Sequence, residues 1–377
     1  MSDQLKCVLV VQRRLGKLQT GADVYLSTVI RNLREEGYSI HLVFAPESSF
    51  ASRPWAIIGK PFLDLCDSIT WKNTLRIRKL YVSGSLQVYK KFIARIHLEI
   101  LRRLRNSPGM PPLGQIGELL DAEEQINVVS SVNELAPDLI VVEYSSLGPL
   151  LAYFIEISVE KAIILHDLFS LRAKAMLSIG RSADFSPLSL EEEATLCESA
   201  DTLIYASYAE CNIFEKIMPN KKHLWLQPNY TQKSLVKKRT QPVAVFIGVK
   251  HAGNIDALDF LMEEIWPEVV KRNNKAKLQI IGEIGNCMKP EWRRLPNIEV
   301  KGIVDDLTPY VGEHTIGLAP TRVASGVSIK VATYLQYGMT VLATREAMKG
   351  YGTTLDHRVT IFYDAKCFAK KLSQKLL

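Results

Sequence analysis

The sequence predicts an α/β protein made of two halves, each with its own parallel sheet. Apolar runs alternate with amphipathic helical segments, and 377 residues suit two domains better than one ordinary core. In the first half, KCVLVV (6–11) is typical of a buried strand, VYLSTVIRNLREEG (24–37) of a helix and SIHLVFA (39–45) of a strand. A β-α-β unit of this kind requires parallel strands with a right-handed crossover.

A polar, basic stretch separates the two halves. We interpret TQKSLVKKRTQP (231–242) as the linker, which predicts an N-terminal domain over 1–236 and a C-terminal domain over 237–377. Further strands are predicted at PDLIVVEY (137–144), KAIILH (161–166), DTLIYAS (201–207), PVAVFIGV (242–249), KLQIIG (277–282), NIEVKG, HTIGLAP and TVLAT, with a helix at NIDALDFLMEEIWPEVVKR (254–272). Because ligands of parallel sheets bind beyond the carboxyl ends of the strands, function is expected in the loops that follow them.

Charge and cysteine content narrow the class of protein. The net charge of +7 is modest for this length, and the six cysteines are scattered without a C-x-x-C pair, which favours reduced thiols in a cytoplasmic protein and no metal site. The apolar run at the N-terminus is too short for a signal peptide. The most apolar region, 139–157, contains Glu143, Pro149 and Glu156, so it falls short of a membrane span.

The loop after the strand HTIGLAP is suited to an anion. Backbone N–H groups of Ala324, Ser325 and Gly326 precede a predicted helix, whose dipole adds partial positive charge there. Arg322 and Lys330 supply full positive charges for phosphate oxygens. Taken alone, the segment is equally consistent with an ordinary helix start whose lysine faces water.

Residues 318–344, LAPTRVASGVSIKVATYLQYGMTVLAT, resemble the donor-site signature of family-four glycosyltransferases, A-P-L-R-x-G-S-G-I-R-x-K-I-L-E-A-x-A-x-G-x-P-V-V-A-T. The matching positions are Ala319, Pro320, Arg322, Ser325, Gly326, Lys330, Gly338, Val341, Ala343 and Thr344. Segments 246–269 and 295–311 follow the family's order and spacing, and weaker similarities begin near residue 130.

This resemblance implies a GT-B fold: two Rossmann-like domains whose parallel sheets face each other across a cleft, with a nucleotide-sugar donor held mainly by the C-terminal domain. It implies that Ser325, Gly326 and Lys330, together with Arg322 and Lys250, bind the donor diphosphate. The family works without a dedicated metal, so the donor is a substrate and no cofactor is expected. Retention of configuration is likewise implied by the family.

Two positions depart from the family's pattern. Many members carry two glutamates eight positions apart that contact the donor sugar and ribose, and here Ser325 and Thr333 occupy those places. Thr333 and Val327 are therefore the residues expected beside the ribose and the sugar, with a neutral hydroxyl binding more weakly than a carboxylate. The alternative is a non-catalytic GT-B protein that binds glycan, nucleotide or a partner transferase; an epimerase or hydrolase on this fold is a third hypothesis.

His166 aligns with a family histidine that lies near the transferred sugar. Asp167 is expected either to orient its ring or to cap the helix LFSLRAKAML. On spacing alone, a core or capping histidine is the alternative.

The loop after the first strand is a second candidate contact. Thr20, Gly21 and Ala22 lie where relatives place a glycine loop that touches diphosphate and acceptor. In the same loop Arg13, Arg14 and Lys17 are candidates for an anionic acceptor, unless the loop is simply solvated.

Residues 72–105 contain ten Lys or Arg residues and a single acid, Glu99, interleaved with apolar residues at helical spacing. This pattern predicts contact with an anionic membrane surface. The cations assigned to it are Arg76, Arg78, Lys79, Lys90, Lys91, Arg95, Arg102, Arg103 and Arg105. The alternative is a helix packed on its own domain with a solvated basic face; no nucleic-acid motif accompanies the charge. A glycan or lipid-linked acceptor at the inner face of the cell membrane, in polysaccharide or lipopolysaccharide assembly, is the expected partner.

Overall fold

The structure, a computed structural model, divides into two compact units. It describes residues 4–16, 20–51, 53–105, 117–155, 158–180, 187–228, 238–352 and 356–377, without the side chains of 99, 102–105 and 238–240. The N-terminal unit is Met1–Ala173, Ser182–Ala206 and Glu210–Leu226, and the C-terminal unit is Lys174–Arg181, Ser207–Ala209 and Gln227–Leu377. The boundary predicted between residues 236 and 237 lies outside the described residues.

The described residues of the N-terminal unit form ten strands. They are β1 (Lys6–Val11), β2 (Ser39–Phe44), β3 (Trp55–Ile57), β4 (Ser68–Thr70), β5 (Thr74–Ile77), β6 (Leu80–Ser83), β7 (Leu139–Glu143), β8 (Glu160–Leu165), β9 (Thr202–Tyr205) and β10 (Lys222–Trp225). Seven of them form a parallel sheet in the order β10-β9-β8-β7-β1-β2-β4, and the other three form a small sheet in the order β3-β6-β5.

The helices up to residue 217 are α1 (Gly21–Glu35), α2 (Lys60–Leu65), α3 (Leu86–Arg105), α4 (Ala122–Leu135), α5 (Phe169–Ser178), α6 (Leu190–Leu196) and α7 (Tyr208–Ile217), with 3-10 helices at Ser48–Phe50 and Ser145–Phe154. Helix α1 illustrates how the sequence sets its ends. Thr20 caps its start by accepting from the backbone N–H of Asp23 at 3.2 Å, and Gly37 beyond its end has a φ of 97°, which favours glycine.

The C-terminal unit has a six-stranded parallel sheet in the order β13-β12-β11-β14-β15-β16. Its strands are β11 (Lys238–Ile247), β12 (Leu278–Ile281), β13 (Ile298–Gly302), β14 (Glu313–Ala319), β15 (Thr340–Thr344) and β16 (Val359–Phe362). Its helices are α8 (Ala252–Phe260), α9 (Trp266–Arg272), α10 (Pro290–Arg293), α11 (Ile329–Gln336), α12 (Arg345–Met348) and α13 (Ala365–Lys375), with 3-10 helices at Glu283–Cys287 and Lys349–Tyr351. The predicted fold class, α/β with two parallel sheets, is confirmed.

Two boundaries differ from the predictions. Strand β11 begins at Lys238, inside the predicted linker, and its register with β14 shifts between Lys238 and Val243. Pro242 lies in this shifted segment and has no register partner on β12 or β14. Its lack of an N–H therefore removes no hydrogen bond from the sheet. The helix predicted over 254–272 is divided by a π-helical turn, Leu261–Ile265. Pro267 in the first turn of α9 cannot donate to the preceding turn, which accounts for the widened turn.

The prediction of helical spacing across residues 72–105 is wrong for its first part. Residues 74–83 form the hairpin of β5 and β6, and only the part from Leu86 onward is helical. The physical reason is the alternation in TLRIRKLYVS, whose period of two places its apolar side chains on one face of a sheet.

Candidate functional site

The C-terminal sheet has one place where its chain order reverses, between β11 and β14. The loops after these neighbouring strands, 248–251 and 320–328, therefore leave the same edge of the sheet. Ligands of doubly wound sheets bind in the crevice at such a reversal. Lys250, Arg322 and the Ser-Gly turn before α11 all fall here, and the expectation that function lies in these loops stays a prediction.

Among the described residues, Lys330, in the first turn of α11, has uncharged partners only. Its Nζ donates to Asn254 Oδ1 at 2.7 Å and lies 4.5 Å from the centre of the Phe246 ring. Burial lowers the pKa of Lys330 to about 7, and no neighbouring charge contributes to this shift. Lys330 is half-buried, and a partly desolvated ammonium without a carboxylate partner is costly, so an anionic ligand would find a ready counter-charge here.

Asn254 is itself held in place by the loop after β11. Its Nδ2 donates to the carbonyl of Val249 at 3.0 Å, which turns Oδ1 toward Lys330. His251 caps α8, because its Nδ1 accepts from the backbone N–H of Gly253 at 3.1 Å. A Cβ on Gly248 would lie 3.1 Å from Asn254 Nδ2, so a side chain there would press on this amide. The lysine is thus positioned by a small, closely packed loop.

The turn before α11 is anchored from the other side by Tyr351. Its hydroxyl donates to the carbonyl of Ser328 at 2.7 Å and accepts from the backbone N–H of Ala332 at 3.0 Å. Gly326 has a φ of 65°, a conformation that favours glycine. The Ser328 side chain makes no capping bond to the first turn of α11, so it does not occupy the helix amides.

Arg322, predicted to bind a diphosphate, forms a two-point ion pair within the unit. Its Nη2 lies 2.6 Å from Asp256 Oδ1 and its Nε lies 3.2 Å from Oδ2, while Nη1 is 3.6 Å from Glu264. Hydrogen bonding to buried Asp256 raises the pKa of Arg322. Its charge is already balanced, which distinguishes it from Lys330.

The remaining donor-site residues lie along the same edge. The Thr333 hydroxyl donates to the carbonyl of Ile329 at 3.1 Å, so its proton is used within α11 while its oxygen can still accept. The exposed Lys250 has its backbone N–H on Glu283 Oε2 at 3.3 Å. Val327 packs against Gly350, where an added Cβ would lie 2.9 Å from Val327 Cα. The assigned roles of these residues stay predictions.

The N-terminal sheet reverses its chain order between β1 and β7, and a buried charge cluster lies at that edge. Glu143, the last residue of β7, is fully buried and accepts from Arg13 and His166. Arg13 Nη2 and His166 Nε2 lie 2.8 Å and 2.7 Å from Oε1, and Arg13 also forms an ion pair with Asp23. We call Arg13, Asp23, Glu143 and His166 the buried cluster.

The charges of the buried cluster stabilise one another. Burial raises the pKa of Glu143, but the Arg13 and His166 contacts outweigh it and hold the pKa below its usual value. Because an ionised carboxylate only accepts, the Nε2 of His166 carries the proton. Its Nδ1 is buried and has no hydrogen-bond partner among the described residues. Sequence reasoning missed Glu143; the available signal was an acid inside a fully apolar strand.

Glu193, rather than Asp167, fills the start of α5. Its carboxylate accepts from the backbone N–H groups of Phe169 and Ser170 at 2.8 Å and 2.9 Å. Asp167 accepts from Arg172 at 3.4 Å, and Glu143 holds the His166 ring that Asp167 was expected to orient. A carboxylate buried at a helix start accepts hydrogen bonds from the first backbone N–H groups. It also interacts favourably with the positive end of the helix dipole.

The described residues of the loop after β1 make mainly internal contacts. Thr20 caps α1, and Gly21 and Ala22 are its first two residues. Arg13 belongs to the buried cluster, and the Arg14 guanidinium donates to the backbone carbonyls of Phe50 and Arg53. Lys17 lies outside the described residues. The interpretation of both arginines as contacts for an anionic acceptor is therefore not supported, since a buried guanidinium needs its acceptors within the fold.

The predicted membrane cations lie on two different elements. Arg76, on β5, and Arg78 and Lys79, in the β5–β6 turn, belong to the hairpin, whereas Lys90, Lys91 and Arg95 lie on α3; all six are exposed. Arg102, Arg103 and Arg105 lie at the end of α3, and their side chains are outside the described residues.

The described residues show neither a metal-binding cluster nor a membrane-spanning helix. In these ranges no three His, Cys, Asp or Glu side chains come close enough together to hold a metal ion. None of the helices described in the structure is both long and apolar enough to cross a bilayer.

Comparison with known proteins identifies the C-terminal unit. Residues 241–376 match the family model of glycosyl transferases, group 1. No curated protein matches the chain in sequence.

Several solved structures are similar to this chain over nearly its whole length, at low sequence identity. Sucrose-phosphate synthase from Thermosynechococcus elongatus has a TM-score of 0.58 at 11% identity, covering 99% of this chain and 93% of that one. TarM has a TM-score of 0.60 at 10% identity, with 99% and 92% covered. HepE from Anabaena, solved with UDP-glucose, has a TM-score of 0.59 at 12% identity, with 99% and 91% covered. These similarities show the fold, which is GT-B.

Proposed function

Because residues 241–376 carry a group 1 glycosyltransferase domain, we propose that the protein transfers a sugar, a hexose, from a nucleotide-sugar donor to an acceptor with retention of configuration. The observation that supports this most directly is Lys330, a half-buried cation at the reversal point of the matched domain, with no carboxylate partner among the described residues. A nucleoside diphosphate is the leaving group of such a reaction. Lys330 and the amide end of α11 would stabilise the negative charge that grows on it.

The proposed acceptor is a glycan or a lipid-linked saccharide in cell-surface polysaccharide or lipopolysaccharide synthesis. Similar structures include a lipopolysaccharide outer core galactosyltransferase, WaaB, with 12% identity and a TM-score of 0.52. TarM has been solved with UDP and α-GlcNAc-glycerol. The exposed cations of the hairpin and α3 favour an acceptor at the inner face of a membrane, where anionic lipids lie.

The first experiment is a thermal-shift screen against UDP, GDP, ADP and CMP and their common sugar conjugates. A ligand that binds only the native state raises the melting temperature by mass action. We expect one nucleotide to raise it selectively in the wild type and to lose this effect in Lys330→Met. Lys366→Met, on an exposed lysine of α13, is the matched control and should respond as the wild type does.

A second candidate function is a non-catalytic nucleotide- or glycan-binding GT-B protein. It is favoured by two residues: the Thr333 hydroxyl donates within its own helix, and Arg322 is paired with Asp256. Radiolabelled donor separates the two candidates. Sugar transferred to an acceptor extract supports the transferase; tight nucleotide binding with neither transfer nor hydrolysis supports the binding protein. A screen without any shift contradicts the donor site itself.

A further inference from the structure

The small antiparallel sheet of the N-terminal unit has an entirely apolar face. Its strand pairing forms three cross-strand rows of three residues and one row of two, Thr74 and Ser83, and directly opposite residues point to the same side. The apolar sheet face consists of two rows: Trp55, Val82 and Leu75, then Ile57, Leu80 and Ile77. The intervening row holds Ala56, Tyr81 and Arg76, which point to the opposite side.

The apolar sheet face is directed at solvent, whereas the opposite face is packed. The exposed fractions are 42% for Trp55, 62% for Ile57, 63% for Leu75 and 54% for Ile77. On the opposite face Ala56 and Tyr81 are buried, and Tyr81 stacks on Trp71 at 5.5 Å. The sheet therefore uses one side for the core and leaves an apolar side uncovered. Contiguous exposed apolar surface of this kind marks a binding site.

Helix α3 continues this surface. The Phe92 ring meets Trp55 edge to face at 5.4 Å, so helix and sheet adjoin at that point. Beyond it, Ile93, Ile96 and Ile100 follow one another at intervals of three and four residues, which places them along one side of the helix. Their exposed fractions are 64%, 44% and 51%. Together they form an exposed apolar stripe beside the sheet.

Cations border this apolar surface. Arg78 and Lys79 form the two-residue turn between β5 and β6, and Arg78 has a φ of 56°, a conformation usually taken by glycine or asparagine. Lys90 and Arg95 are exposed on α3 on either side of Phe92 and the isoleucines, whereas Lys91 is exposed on the far side of the helix. Arg76 is different, because it lies over the Tyr81 ring at 5.4 Å on the packed side.

We propose that this surface docks on an anionic lipid bilayer, with the apolar sheet face and the isoleucine stripe entering the headgroup boundary and the bordering cations on lipid phosphates. Apolar side chains surrounded by Lys and Arg fit that boundary. A second copy of the chain fits poorly, because a symmetric contact would bring the same cations together. The proposal is independent of the chemistry at Lys330, so either can fail without the other.

Vesicle flotation tests the composition of the partner. Wild-type protein should float with phosphatidylcholine vesicles in which roughly a third of the lipid is phosphatidylglycerol, and hardly at all with pure phosphatidylcholine. The double change Leu75→Ser with Ile77→Ser should lower the partition coefficient about tenfold or more. Ile126→Ser with Ile155→Ser is the matched control, because these isoleucines are 70% and 79% exposed and belong to neither the small sheet nor α3. Arg78→Ser should lower it about fivefold.

Fluorescence quenching tests insertion. Acyl chains brominated near the headgroup should quench Trp55, and Trp55→Phe should abolish this quenching. Trp266 and Trp292 are 1% and 8% exposed, so they remain as an internal reference. Equal flotation with neutral vesicles, flotation without quenching, or a dimer in light scattering that the Leu75 and Ile77 changes dissociate would each overturn the proposal. Circular dichroism melts confirm that the variants fold.

Discussion

The two large sheets each reverse their chain order once, and they place different electrostatics at that point. In the N-terminal sheet, Arg13 lies between Glu143 and Asp23, so its buried charge is balanced within the fold. In the C-terminal sheet, Lys330 meets an amide oxygen and an aromatic ring. The comparison teaches that a cation beyond the end of a strand indicates an anion-binding site only when no carboxylate of the fold balances its charge.

The largest effect is expected where the balance of the buried cluster is broken. Glu143→Gln leaves the Arg13 charge with Asp23 alone, and removing one partner of a buried pair costs about 3–5 kcal/mol in the free energy of unfolding. Urea denaturation measures it. Glu134→Gln, on an exposed carboxylate paired with Lys72, is the control and should change the free energy of unfolding far less, because solvent screens this pair. Equal losses of the free energy of unfolding in both variants would show that the buried cluster stabilises the fold no more than a surface ion pair does.

The second prediction concerns the uncompensated cation. Lys330→Ala should weaken binding of the nucleoside diphosphate by about 1.5–3 kcal/mol, the scale of a charge-assisted hydrogen bond. Isothermal calorimetry with the nucleotide found by thermal shift measures this. Unchanged affinity would show that Lys330 does not contact the diphosphate. The proposed electrostatic difference between the two sheets would then have no bearing on ligand binding.

The third prediction follows from the lowered pKa of Lys330. Between about pH 7 and 10.5 the unfolded chain keeps the lysine proton that the folded chain has released, so the free energy of unfolding rises with pH through this window. Lys330→Met lacks this contribution. The free energy of unfolding of the wild type minus that of Lys330→Met should therefore increase with pH. Urea denaturation at several pH values measures this difference. A difference that stays flat would mean that Lys330 is solvated in the free protein.

The smallest effect on binding is expected at Arg322. Because Asp256 already balances its charge, Arg322→Ala should weaken nucleotide binding by less than about 1 kcal/mol. Titration of this variant beside Lys330→Ala compares the two directly. A loss as large as that of Lys330 would show that the arginine leaves Asp256 when the ligand arrives.

Much of the fold follows from the sequence because its strands are strongly patterned. Runs such as KCVLVV and KAIILH have no alternative to burial, and β1 and β8 lie where they were predicted. The position of Lys330 was found through its motif and the helix that follows it. Both cases depend on neighbours in the chain, which a single sequence does reveal.

The ion pairs that could not be predicted join residues that are distant in the chain. Arg322 and Asp256 are separated by 66 residues, and Arg13 and Glu143 by 130, so no local pattern announces either pair. The hairpin at residues 74–83 escaped for another reason. Its cations and apolar residues fit a helical period nearly as well as an alternating one over so short a stretch, and its pairing with β3 decided between them.

The neutral surroundings of Lys330 also link ligand binding to protons. At neutral pH this lysine is protonated in only part of the free molecules, because its pKa is about 7. A phosphate oxygen beside it would favour the ammonium, so each binding event draws a fraction of a proton from the solvent. The heat of binding would then depend on the ionisation enthalpy of the buffer. Donor affinity would fall as the medium becomes alkaline, because the lysine at the start of α11 would lose its charge.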